Sequence, residues 1–277
     1  MGLAFHKYEG LGNDFVVVDA ATDDAVSPEL ARALCDRRFG IGGDGVLLVL
    51  PPSSPGAHAR MRVLNADGSV PEMCGNGLRC AVVHVARARR QASGEVIFDT
   101  DAGLRPCTID DADGGGLVTV DMGIVRVTED VSLSIDGEPW PFTLADAGNP
   151  HAITLRPADR AVIDRVGPRV ATHPHFRAGT NVEFASFADR RVDLVVWERG
   201  CGVTHACGTG ACATVAVGVA KGLARANEEW TVNLPGGALA ITIEADGRAI
   251  MRGPARAVFS GSFDASALER AVRSAPR

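Results

Sequence analysis

One short pattern occurs twice in this chain, and that repetition limits the possible folds more than any bulk property. Cys74-Gly75-Asn76-Gly77 leads into LRCAVVHVA, and Cys207-Gly208-Thr209-Gly210 leads into ACATVAVGVA. The second cysteine lies 133 positions after the first in a chain of 277 residues, close to half its length. Both runs after the glycines are small and apolar, as expected of buried helices. The chain is also a little under two domains long at ~150 residues each. The expectation is two similar halves, each presenting a cysteine where a loop enters a helix.

That element has a definite chemistry. A helix N-terminus carries partial positive charge and unpaired N–H groups, so it binds carboxylate or phosphate. It also favours a thiolate over a thiol. Glycines let a ligand come close to the backbone. Taken singly, either cysteine reads equally as a small buried hydrophobe, and CGxG as a plain turn. Taken together at half-chain spacing, Cys74 and Cys207 read as an acid/base pair flanking one α-carbon. One thiolate removes the α-proton, and the opposite thiol returns a proton to the other face. A disulfide between them would be an inactivating oxidation product. Cys35, Cys80, Cys107, Cys201 and Cys212 have no such context.

The rest of the pattern is mixed α and β. Strands are expected at 15–19, 46–50, 60–64, 95–99, 117–121, 152–155, 181–187, 191–197, 238–244 and 248–252. Ser27-Pro28-Glu29 opens a helix toward Arg38. Further helices are expected at about 77–90 and 208–221, with a short one over 264–272. Residues 65–68 are turn chemistry and 110–116 a loop.

Charge and cysteine usage exclude other classes. The chain has 28 basic and 34 acidic residues, net −6, with no basic run to suit nucleic acid or an anionic membrane. The longest uncharged apolar stretch, 206–220, is too short to span a bilayer and contains three glycines. Residues 1–10 hold no apolar signal segment, and the seven cysteines show no framework spacing. A cytoplasmic protein with free thiols is expected.

At this point the residues resemble a known family. GLGNDF at 10–15, NADGS at 65–69, MCGNGLRC at 73–80, GNPH at 148–151, TNVEF at 180–184, ERG at 198–200 and ACGTGACA at 206–213 look like diaminopimelate epimerase, in that order. The resemblance runs from Phe5 to about Phe263. It implies an α/β (α+β) fold of two pseudo-symmetric domains, with strands around a central helix in each and the site in the cleft between them. The implied halves are 1–120, joined by 259–277, and 121–258. It implies pyridoxal-independent interconversion of LL- and meso-diaminopimelate, with the two thiols as acid/base pair. It also implies a homodimer, no cofactor, no metal, and no nucleic-acid or membrane partner.

The same resemblance places Asn13, Asn65, Asn149 and Asn181 on the substrate, a symmetric diamino diacid that needs donors and acceptors at both ends. Asn13, Asn65 and Asn149 also read as turn residues. Arg199 would bind a carboxylate through its planar fork. Glu198 would hold the ammonium and help set the protonation of Cys207; otherwise the two form an exposed ion pair. Gly75, Asn76, Gly208 and Thr209 would donate N–H groups to the α-carboxylate. His151 would support deprotonation of Cys74, or else be a structural histidine. His205 reads as a loop residue.

The chain departs from the family at three places. Gly45 stands where many members carry Gln, which removes a substrate contact. Val203 stands where Glu is common, and Cys201 is a minor variation beside it. Met73 leaves no acidic neighbour before Cys74. Three rivals remain open. One is another cofactor-free racemase on this scaffold. A second is a metal or redox protein using Cys201, Cys207 and Cys212, although no CxxC occurs. The third is a non-catalytic carboxylate binder.

Overall fold

The non-alternating apolar runs of this sequence become strands covered on both faces. The computed structural model describes residues 2–71, 74–101, 103–112, 116–264 and 266–268. The elements, in chain order, are β1 (Leu3–Gly10), β2 (Asn13–Asp19), α1 (Pro28–Cys35), β3 (Gly45–Leu50), β4 (Ala59–Asn65), α2 (Gly75–Ala88), β5 (Gly94–Thr100), β6 (Gly103–Asp110) and β7 (Leu117–Ile124). They continue with β8 (Arg126–Ile135), β9 (Glu138–Asp146), β10 (Pro150–Thr154), α3 (Arg160–Ala171), β11 (Asn181–Ala188), β12 (Arg191–Glu198), β13 (Gly202–Val203) and α4 (Gly208–Ala220). The last are β14 (Glu229–Leu234), β15 (Gly237–Ile243), β16 (Arg248–Pro254) and β17 (Arg256–Phe263). The chain divides into two compact units: Met1–Val120 with Pro254–Arg277, and Asp121–Gly253.

The two units are wired alike. In the first, β17–β1 and β1–β2 are antiparallel, β2–β3 parallel, β3–β4 antiparallel, β4–β5 parallel, and β5–β6 and β6–β7 antiparallel. In the second, β8–β9 and β9–β10 are antiparallel, β10–β11 parallel, β11–β12 antiparallel, β12–β14 parallel, and β14–β15 and β15–β16 antiparallel. Each parallel pair needs a crossover, and each has a helix to make it. α1 and α3 serve the first parallel pair of their units, and α2 and α4 the second. The place beside the first strand is filled by β8 in one unit. In the other it is filled by β17, from the far end of the chain.

α2 packs against β1 to β6 and β17, and α4 against β8 to β12 and β15. Both helices are buried nearly all round, as a central helix must be; α4 is apolar and small throughout, while α2 also buries Asn76, Arg79 and His84. α1 covers another face of the first unit, over a core that includes Val16, Val18, Leu34, Val46 and Leu48. α3 does the same in the second, over Trp140, Phe142, Ile163, Val166 and Val182.

Some elements differ from expectation. α1 stops at Cys35 rather than near Arg38, because the Asp36 carboxylate accepts the N–H groups of Arg38 and Phe39 at 2.7 and 2.8 Å. The turn then brings Gly40 so close that a Cβ there would lie 2.1 Å from the Ala33 carbonyl oxygen. β1, β6, β8, β9, α3, β13 and β14 do not follow from the sequence pattern, while β17 is the C-terminal strand whose return to the first half the resemblance implies. Pro168 inside α3 argues against a helix from sequence. The helix forms because Asp159 caps it, accepting from the Val162 N–H at 2.9 Å, and because Ile163, Val166 and Val170 are buried. Of the helix expected over 264–272, residues 266–268 are helical, and 265 and 269–272 lie outside the described residues. Positions 113–115 of the expected loop and Met73 lie outside them too.

Candidate functional site

Both cysteines of the repeat are helix N-caps. Cys74 caps α2 with φ −139° and ψ 93°, and its Sγ accepts the Gly77 N–H at 3.3 Å. Cys207 caps α4 with φ −129° and ψ 109°, and its Sγ accepts the Gly210 N–H at 3.4 Å. Sulfur takes the place that a Ser, Thr or Asp oxygen normally fills. The last glycine of each motif is required by this closeness. A Cβ on Gly77 would lie 3.1 Å from the Cys74 sulfur, and one on Gly210 would lie 3.3 Å from the Cys207 sulfur. Gly75–Asn76 and Gly208–Thr209 form the first turns, whose N–H groups have no intrahelical acceptor.

The first copy stands among amides and a charge network. Asn76 Nδ2 donates to Asn13 Oδ1 at 3.1 Å, and Asn13 Nδ2 donates to Asp44 at 2.7 Å. Arg79 is fully buried on α2 and donates to Asn76 Oδ1 at 2.9 Å and to the Pro254 carbonyl at 3.2 Å. Arg37 bridges Asp44 and Asp14, and the buried Lys7 ammonium lies 2.6 Å from Asp14. Burial pushes the Asp14 carboxyl up, but Arg37 and Lys7 outweigh it and bring it to about 2. The Asn65 turn joins this group through the Ala66 N–H, which donates to the Asp44 carbonyl at 3.1 Å. The Asn65 side chain itself donates to Ser69 at 3.0 Å.

The second copy stands among carboxylates. Cys207 is buried, with Thr209 Oγ1 3.5 Å from its sulfur. Desolvation pushes this thiol well above its ordinary value, and Glu198 and Glu183 push it further. Hydrogen bonds from Thr209 and Gly210 offset part of that. Glu183 is fully buried, and its Oε1 lies 2.6 Å from His151 Nδ1. His151 Nε2 meets Asn149 Oδ1 at 2.8 Å, so both ring nitrogens are engaged within the second unit. Glu183 Oε2 is buried without a hydrogen-bond partner among the described residues. Thr204 donates to the Glu198 carboxylate. Asn181 Oδ1 accepts the Arg199 N–H at 2.9 Å, and the Arg199 guanidinium donates to the Ala178 carbonyl at 2.8 Å.

The structure therefore groups Cys74, Asn76 and Asn13 in one unit, with Asn65 on an adjoining turn. It groups Cys207, Thr209, Glu198, His151 and Asn149 in the other, with Asn181 and Arg199 paired to each other. Glu183, Asp44, Arg37 and Arg79 were not singled out from sequence. Glu183 was within reach, because it shares a strand face with Asn181 two positions earlier. Gly45 is not a simple loss of a side chain: a Cβ there would lie 2.8 Å from the Leu64 carbonyl oxygen, so a longer residue requires a shifted backbone. Val203 is half-buried in β13, and Cys201 is exposed. The seven cysteines are free thiols, and burial pushes Cys35 up to about 12. No helix among the described residues is long and apolar enough to cross a membrane.

Comparison with known proteins matches this arrangement to one family. A family model described as diaminopimelate epimerase matches residues 5–128 and 143–258. The diaminopimelate epimerase of Synechococcus elongatus is 42% identical, over 96% of this chain and 100% of its own length. That of Desulfitobacterium hafniense is 43% identical, over 92% of this chain and 96% of its own. A solved structure described as a probable proline racemase from Agrobacterium radiobacter shares the fold, with a TM-score of 0.75 at 18% identity, over 95% of this chain and 93% of its own. With near-complete coverage by curated relatives and a thiol at the N-cap of each central helix, this chain belongs to the diaminopimelate epimerase family of isomerases.

Proposed function

We propose that this chain interconverts LL- and meso-diaminopimelate, a step toward lysine and peptidoglycan, without a cofactor. The observation that carries the mechanism is the duplicated thiol N-cap. Two sulfurs of matching backbone geometry each accept the N–H of a third helical residue. In this reading both thiols reach the α-carbon of one substrate, from opposite sides. One acts as thiolate and takes the α-proton. The electron pair left on carbon is delocalised into the α-carboxylate. The other, as thiol, gives its proton to the opposite face. The two cysteines then hold exchanged protonation states, ready for the reverse reaction.

The helix ends stabilise the charge as it develops on the carboxylate, through the N–H groups of Gly75, Asn76, Gly208 and Thr209. Such stabilisation acts on the transition state, where it raises the rate rather than only the affinity. Asn13, Asn65, Asn149 and Asn181 bind the polar ends of the substrate. Arg199 takes a carboxylate, and Glu198 an ammonium. Burial, and after it the carboxylates of Glu198 and Glu183, favour the resting thiol form of Cys207, so it is poised as the acid. His151 supports this side of the site by holding Glu183, with Asn149 behind it. The proposal includes a cytoplasmic homodimer.

The test follows reduced, metal-free and pyridoxal-free protein with LL-diaminopimelate in D2O. Loss of the α-proton signal together with formation of the meso isomer is the expected result. No exchange under reducing conditions overturns the substrate assignment. Exchange with another amino acid would then point to a different racemase on this scaffold, with the Gly45 departure as the first place to look.

A further inference from the structure

The first unit holds a second group of chemistry-bearing side chains that the epimerase reading does not use. His6 lies on β1, Asp19 ends β2, and His84 lies on α2 above them. His6 pairs with Val17 across the antiparallel ladder, so Asp19, two residues on, shares the face of His6. α2 lies against that face. His84 Nε2 reaches both oxygens of Asp19, at 3.0 and 3.1 Å. The rings of His6 and His84 are 4.8 Å apart between centroids and inclined at 50°. One donor atom from each of the three residues falls within 4.8 Å of the others, and no other such triad of His, Cys, Asp or Glu occurs among the described residues.

We propose that His6, Asp19 and His84 form a binding site for a divalent first-row transition ion of the zinc type. Two imidazoles and one carboxylate are a donor set that suits Zn2+, Co2+ or Ni2+, and not the oxygen-seeking Ca2+ or Mg2+. Tetrahedral bonds of about 2.0–2.1 Å place neighbouring donors about 3.3 Å apart. The Asp19–His84 pair is already near that spacing. His6 supplies the third donor, which lies within 4.8 Å of the other two and has to draw closer on binding. The three residues leave a fourth position for water.

An entry path exists. A cavity of about 430 Å3 opens beside the triad, lined by Asp19 and His84 together with Leu50, His58 and Arg89. Asp19 itself is 63% exposed at its side chain, so an ion can reach it, while His84 is held at 6%. Arg89 on the cavity wall opposes any cation held by charge alone. That favours an ion gripped by imidazole nitrogen. Bound there, the ion would tie α2, the helix that presents Cys74, to the two strands beneath it. This proposal does not depend on the epimerase reading.

The experiment titrates the full-length reduced protein with Co2+ and records its visible absorption. Thiolate ligation is scored separately by its near-ultraviolet charge-transfer band. The expected result is one equivalent of Co2+ with tetrahedral visible bands, no thiolate band, and displacement by Zn2+. Affinity should fall at least about tenfold in Asp19→Asn and in His6→Asn, while His58→Ala leaves it unchanged. Added Zn2+ should raise the melting temperature of the parent protein and not of Asp19→Asn. Asp19 is exposed and its variant keeps the fold, which circular dichroism checks, so the test does not depend on the buried His84. Absence of visible bands at saturating Co2+ overturns the proposal. So does a band that survives Asp19→Asn and His6→Asn unchanged, or one that carries thiolate character and disappears in Cys201→Ser.

Discussion

Cys74 and Cys207 hold the same place in two units of one plan, yet their surroundings differ in kind. Their backbone angles agree within about 20°, and their sulfurs accept the corresponding N–H at 3.3 and 3.4 Å. Around Cys74 the first turn is braced by Asn76, Asn13 and the buried Arg79, with the paired charges of Lys7, Asp14, Arg37 and Asp44 behind. Around Cys207 stand two carboxylates, one of them fully buried against His151. The comparison teaches that the helix end and its thiol recur in both units, while the side chains around them differ in charge. A two-base epimerase needs this, since its thiols must start in opposite protonation states.

The largest effect should come from removing either sulfur. Cys74→Ala and Cys207→Ala should each lower epimerisation on the order of 10²–10⁴-fold, read by isomer analysis. One variant with full two-way turnover would end the two-base reading.

Next is the charge at Cys207. Glu183→Gln removes a neighbour that raises this thiol, so its titration should move downward, although burial and Glu198 still hold it up. Alkylation rates against pH, resolved by peptide mass, would show it. Cys74 should not move, and a common shift of both thiols would contradict the asymmetry.

Smaller effects separate the two glycines. A Cβ on Gly210 would lie 2.8 Å from Glu183 Oε1, which is locked to His151. Gly210→Ala should cost about 1–3 kcal/mol in overpacking, seen as a lower melting temperature. A Cβ on Gly77 would meet the end of the Leu47 side chain at 2.9 Å, a group that can turn away. Gly77→Ala should cost less than Gly210→Ala, because the Leu47 end can move and a helix-propensity gain of about 1 kcal/mol offsets part of the remaining contact with the Cys74 sulfur at 3.1 Å. Equal losses at both sites would mean that Glu183 is not held as firmly as its hydrogen bonds indicate.

The smallest effect concerns acid stability. Asp14 titrates at about 2, against an ordinary 3.8. Its stabilising contribution is complete above 3.8 and is lost as pH falls through about 2. Asp14→Asn should therefore lower the melting temperature at neutral pH and flatten its decline over that acid window. An unchanged decline would place the acid-sensitive group elsewhere.

Local chemistry made part of this legible in advance. The strand cores at 46–50 and 60–64, the cap at Ser27 and both central helices follow from nearest-neighbour preferences, and β3, β4, α1, α2 and α4 lie there. The β8–β9 hairpin carries a recognisable sign, Asp136-Gly137, with both residues at positive φ. β8 is mostly exposed, and only its second half, with Val131, Leu133 and Ile135, alternates, so the strand signal is short. The turn between β11 and β12 gives no such sign, since Asp189 and Arg190 adopt positive φ without a glycine. The strand pairing imposes that conformation.

The sequence by itself determined the duplicated thiol, its helix end, the two-fold plan and the family, because these depend on short motifs and their order along the chain. The resemblance already joined the C-terminal segment to the first half, and the tertiary structure added its pairing: β17 lies beside β1 as β8 lies beside β9. Only the tertiary structure brought Glu183 to Cys207, Arg79 to Asn76 and Pro254, and His6 to His84. Most of these contacts join residues far apart in the chain, and which long-range pairs meet depends on the packing of whole elements. No local preference encodes that choice.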